Sequence, residues 1–142
     1  MQLPSQYHAF HEPTMIVVTN SVKAKLCLAH DQMIEVLQEI NVSEELEQMA
    51  GDKEAYPGSE DRPNEKQHVT EDHLYPALSK ALMQRLQNQE FKQLIFTVPE
   101  ELEKTLKESL HTDLLKHASL FLPKNLMQQD LLEVVTEIQE NF

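Results

Sequence analysis

Three strand-like stretches crowd between Met15 and Ile40, and the spacing leaves room only for tight turns between them. Met15-Ile16-Val17-Val18-Thr19-Asn20 is mostly apolar and β-branched, the signature of a buried strand. Asn20-Ser21 suits a turn. Lys23 to His30 alternates, with Ala24, Leu26 and Leu28 on one face and Lys23, Lys25 and Cys27 on the other. After a turn at His30-Asp31-Gln32, Met33 to Ile40 reads as a third strand, with Ile34, Val36 and Ile40 sharing a face. Three consecutive strands joined in this way imply an antiparallel meander. Residues 1–14 are polar and aromatic with two prolines, and they read as a loose leader.

The rest of the chain changes period. Ser43 to Ala50 suits a short helix, and residues 51–72 read as a long polar surface loop holding both glycines of the chain. Loops of that length are uncommon in compact domains and are often functional. Leu74, Leu78, Leu82 and Leu86 then recur at four-residue spacing, and Pro76 confines the regular helix to about Pro76–Asn88. Phe91 to Val98 is a fourth strand. Pro99, Glu100 and Glu101 open a second helix whose stripe is Leu102, Leu106 and Leu110. Lys116 to Leu122 is a fifth strand, and a last helix runs from about Met127 to Glu140, capped by Asn125 with Gln128 three residues on. The expected fold is thus α/β, one domain over 1–142. It has a three-strand antiparallel meander, then helix, strand, helix, strand, helix, forming a mixed five-stranded sheet with helices packed on it. This is the order of the ribonuclease H-like fold.

Charge narrows the partners. The formal net charge is -12, and the twelve Lys and Arg are scattered without a run. Such a surface repels phosphate backbones, so free DNA binding is not expected. Glu44, Glu45, Glu47 and Glu100, Glu101, Glu103 are the nearest approach to charge runs, and the plainer reading is a solvated face. The single cysteine, Cys27, cannot pair within the chain, which fits a reducing compartment. No signal-peptide pattern opens the sequence and no stretch reaches the roughly 18 apolar residues of a membrane span, so the expected location is the cytoplasm, away from the membrane. No apolar segment demands a second copy, and the oligomeric state stays open.

Four pieces of the chain, taken in order, resemble the host-attachment protein family (protein required for attachment to host cells). They are Ile16–Ser21 leading into Lys23-Ala24-Lys25-Leu26, the histidine-bearing helix start Glu71-Asp72-His73, Leu94–Pro99 followed by Leu102 and Leu106, and Leu122–Leu126 before the last helix. The resemblance spans roughly residues 14–140. The loop departs from it, lacking the small, Gly/Ser/Arg-rich stretch of many members. That family is similar to the central, ribonuclease H-like domain of archaeal and eukaryotic peptide-release factors. The resemblance therefore implies a bacterial protein acting at or near the ribosome.

Most chemistry of such folds is excluded by missing residues. A release factor needs a Gly-Gly-Gln loop for close backbone approach, and here Gly51 and Gly58 are isolated and neither precedes Gln. A ribonuclease H-like nuclease needs carboxylates around two metals about 3.5–4 Å apart, and neither Met15–Asn20 nor Leu94–Val98 contains one. His8 with His11, and His68 with His73 beside Glu71 and Asp72, have loose spacing, and exposed loop histidines explain them more simply than a metal site does. Cys27 next to Lys25 on a strand could in principle carry a lowered pKa, but a half-buried strand cysteine is the plainer reading. No nucleophile elbow, phosphate loop or dinucleotide fingerprint occurs. The expected catalytic residues, metal and cofactor are therefore none.

What remains is positional. Asn20 and Lys124 fall at strand carboxyl ends, where open α/β sheets bind ligands, and Glu71 and His73 stand at a helix start. Turn and cap roles compete with binding at each. Three functions are compatible with this inventory. One is a non-catalytic binding module with a protein partner, ribosomal protein included. Another is a protein-interaction factor in attachment or stress regulation that works through the long loop. The third is a hydrolase built on His73 and Glu71, with Asn20 as a further member.

Overall fold

The computed structural model describes residues 1–42 and 65–141, with the backbone alone for residues 65–68 and 71. The elements in chain order are β1 (Phe10–Thr19), β2 (Lys23–Asp31), β3 (Met33–Val42), β4 (Glu65–Val69), α1 (Leu74–Gln87), β5 (Gln93–Thr97), α2 (Glu103–Ser109), α3 (Thr112–His117), β6 (Ala118–Leu122) and α4 (Leu131–Asn141). Short 3-10 turns at Glu71–His73 and Glu100–Leu102 lead into α1 and α2.

One mixed sheet runs in the order β4-β3-β2-β1-β5-β6. β1, β2 and β3 pair antiparallel as expected, while β5 pairs parallel to β1 and β6 parallel to β5. The five expected strands are all present. β4 is an addition: residues 65–69, read from sequence as part of the loop, lie parallel to β3. The expected helix at 43–50 and loop residues 51–64 fall outside the described residues.

The sheet is buried on both faces, which accounts for the run Met15–Val18 of β1 being apolar at every position rather than alternating. One face carries Met15, Val17, Leu26, Ile40, Leu94 and Phe96 against α1 through Leu74, Leu78 and Leu82, with Leu106 and Leu114 joining from α2 and α3. The other carries Ile16, Val18, Cys27, Ile34 and Ile95 against Val134, Val135 and Ile138 of α4. The result is a three-layer sandwich.

Several boundaries differ from expectation for local reasons. In β3, Ile34 and Val36 pack on the α4 face but Ile40 packs on the α1 face. The register slips between Leu26↔Gln38 and Cys27↔Val36, so Leu37 is an extra residue in β3 and the alternation flips across it. The stripe Leu102–Leu110 is broken at Leu110, whose backbone is extended, and His111 restarts helix α3 by accepting the Asp113 N–H at Nδ1, 3.0 Å away. Residues 112–117 are therefore helical, and β6 starts at Ala118 rather than Lys116. The last helix starts at Leu131, four residues late, because Asp130 caps it: its Oδ1 accepts the Glu133 N–H at 2.9 Å. Asn125 caps a preceding turn instead, accepting the Met127 N–H.

The loose leader is also corrected. Leu3 is 2% exposed and joins the core on the α4 face, Gln2 bridges to Met33, and the Tyr7 hydroxyl bonds Thr136 on α4. Phe10 already belongs to β1.

Candidate functional site

In an open α/β sheet the ligand crevice forms where neighbouring parallel strands send their connections in opposite directions. Here that point lies between β1, whose chain turns towards β2, and β5, whose chain passes through α2 and α3 to β6. At the carboxyl ends of these two strands, on the α1 face, a crevice of about 190 Å³ is lined by Ser21, Asp72, Leu74, Tyr75, Pro76, Leu102, Thr105 and Ser109. Ser21 follows β1, Asp72 to Pro76 open α1, and the remainder follow β5.

The β1–β2 turn that forms one wall is built by Asn20. Its Oδ1 accepts the N–H groups of Val22 and Lys23, both at 2.9 Å, so its side chain is committed to the turn. The buried Thr19 hydroxyl donates to the Lys23 carbonyl at 2.8 Å, and Tyr75 Oη donates to the Asn20 carbonyl at 3.0 Å, tying α1 to the turn. Burial pushes the Tyr75 phenol up, and the Thr19 side chain opposes that shift weakly, so its proton stays in place for that bond.

The opposite rim is exposed. Thr70 Oγ1 donates to Asp72 Oδ1 at 2.9 Å and contacts His73 Nδ1 at 2.5 Å. The Thr70 hydroxyl, first, and nearby His73, second, hold the Asp72 carboxyl below its ordinary value, so Asp72 carries its charge at neutral pH.

The four residues singled out by sequence do not converge. Asn20 sits in the crevice wall as a turn builder. Glu71 and His73 belong to the 3-10 turn before α1, with His73 exposed beside Asp72. Lys124 pairs with Glu137 of α4 at 2.6 Å and lies against the other layer. Sequence reasoning missed Asp72, Tyr75, Thr105 and Ser109 as lining residues. The available signal was the pair of hydroxyls at four-residue spacing, Thr105 and Ser109, on a helix leaving a parallel strand.

The other candidates resolve plainly. Cys27 is fully buried, and burial pushes its thiol up to about 12, outweighing Lys25. The lowered-pKa reading is thus corrected: on the sheet face packed by α4, the neighbouring lysine cannot offset desolvation. In the folded protein Cys27 is expected to resist iodoacetamide at pH 8 for hours and to react once denaturant is added. Mass spectrometry of the quenched reaction checks this, and rapid modification without denaturant would contradict the burial. His8 and His11, with Glu12, Gln93 and Gln139, line a cleft of about 490 Å³ at the amino end of β5. Gln139 accepts the His8 N–H and donates to the His8 carbonyl, so it pins the chain. Among the described residues no group of three or more His, Cys, Asp or Glu is placed to hold a metal ion, and no helix is long and apolar enough to cross a membrane.

These features define an α/β protein with a mixed sheet covered by helices. No protein-family model matches the chain, and no curated protein matches it. A solved structure described as an archaeal protein superposes with a TM-score of 0.51 at 13% sequence identity, over 92% of this chain and 39% of that one. The likeness is one of fold. This chain thus spans well under half the length of the structure it resembles.

Proposed function

We propose that this chain is a non-catalytic binding module of the host-attachment kind, with a release-factor-like core, that works in the bacterial cytoplasm through contact with a protein partner at or near the ribosome. The observation that carries the reading is the strand order β3-β2-β1-β5-β6 with β5 and β6 parallel to β1, the order of a ribonuclease H-like sheet. Met15–Asn20 of the first strand and Leu94–Val98 of β5 carry no Asp or Glu with which a nuclease on such a sheet would hold metal ions. The loop chemistry of peptide release is missing from the sequence, which has no adjacent glycines. A scaffold of this kind with neither apparatus is suited to binding.

The acidic surface makes ribosomal protein, rather than ribosomal RNA, the expected contact. Native capture on the immobilised chain, followed by identification of the bound proteins, tests the proposal. Reproducible enrichment of ribosomal proteins over an equally acidic control protein is the expected result. Enrichment of none would remove the ribosome from the account.

A further inference from the structure

Every polar side chain that lines the crevice between β1, β5 and the start of α1 can accept a hydrogen bond: Ser21, Asp72, Tyr75, Thr105 and Ser109. The Tyr75 hydroxyl spends its proton on the Asn20 carbonyl, and the Ser109 hydroxyl spends its own on the Thr105 carbonyl at 3.1 Å. Both oxygens are left as acceptors. Asp72 accepts only, and its Oδ1 is occupied by Thr70, which leaves Oδ2. Among the described residues no lysine or arginine lines the crevice. On α2, Lys107 is paired with Glu103 at 2.8 Å and lies over the Phe121 ring.

Two local fields compete. The amino end of α1 presents roughly half a positive charge, which favours anions. Asp72 presents a full negative charge at the same end, and Pro76 removes one N–H donor from the first turn. The carboxyl end of α2, at Ser109, adds a partial negative charge. The balance is negative, in line with the net charge of -12. The volume of about 190 Å³ is below the roughly 300–1,000 Å³ of sites for drug-sized ligands, and suits one side chain.

From this geometry we infer that the crevice takes a guanidinium group, the arginine side chain of a basic protein partner. A guanidinium has five donors and no acceptor, and each polar side chain of this lining can accept from it, Asp72 with a full charge. The inference rests on the binding-module reading and gives that module its recognition chemistry.

The test is a titration of the whole ¹⁵N-labelled chain with N-acetyl-arginine amide, and in parallel with the neutral isostere N-acetyl-citrulline amide. Saturable amide shifts at Ser21, Asp72, Tyr75 and Ser109 are expected with the arginine compound alone. Asp72→Asn should weaken that binding roughly three- to fivefold, as for an exposed ion pair, and leave amides elsewhere unmoved because Asp72 is exposed. Tyr75→Phe should also weaken it, by removing an acceptor. Shifts that never saturate, equal response to citrulline, or unchanged affinity in Asp72→Asn would each overturn the inference. The purified chain suffices, so this failure is separable from failure of the ribosome reading, which native capture decides.

Discussion

Phe96→Ala is expected to destabilise the chain by about 3–5 kcal/mol, the usual range for a buried phenylalanine. The side chain is fully buried at the centre of β5, the strand that joins the antiparallel half of the sheet to its parallel half. Its ring stacks on Phe121 of β6 with centroids 4.9 Å apart and planes 9° from parallel, and Lys107 Nζ lies over the Phe121 ring at 4.6 Å. Alanine would leave a cavity bounded by three elements that the sheet hydrogen bonds hold in place, so collapse would recover little of the lost contact. The melting temperature should fall by roughly 10–15 °C. The denaturant midpoint should fall with an unchanged slope. A loss of under about 1 kcal/mol would mean that β5 is not central.

Leu3→Ala is expected to cost about 2–4 kcal/mol, which is large for a residue so near the start of the chain. Leu3 is 2% exposed and packs with Phe10, Ile34 and the α4 residues. Its N–H donates to the Gln32 carbonyl at 2.6 Å, which fixes the backbone beside β3. A loose leader would instead give a change within about 0.5 kcal/mol, as surface substitutions do. Thermal melts of the variant separate the two outcomes directly.

The fold was largely legible because its signals are dense in β1, β2 and α1. The run Met15–Val18 is apolar at every position since both its faces are covered, and the leucines of α1 keep a four-residue period because one face alone is buried. What escaped was set by single residues acting over a distance. Leu3 is buried by a helix more than a hundred residues away, and nothing in Met1–Pro4 announces that contact. The flip at Leu37 comes from the register with β2, and periodicity within β3 could not reveal it. Asp130 was hidden as a cap because Asn125 and Gln128 offered an equivalent local pattern.

The site was less legible than the fold. Asn20 was correctly placed at a strand end, but its side chain is used inside its own turn. Lys124 was likewise placed at a strand end, and the ion pair with Glu137 draws it to the other layer. The crevice takes its walls from three separate stretches, Ser21, Asp72–Pro76 and Leu102–Ser109, and only the topology brings them together. A hydroxyl in a sequence carries no mark of where its proton goes. The acceptor character of Tyr75 and Ser109 follows from the carbonyls that the fold sets beside them.

Sedimentation of the chain with bacterial ribosomes through a sucrose cushion, at low and at high salt, tests the central claim most directly. The account predicts co-sedimentation at low salt that weakens as ionic strength rises, since an acidic module meeting basic ribosomal protein depends on screened charge. A chain that stays in the supernatant at every salt concentration would contradict it.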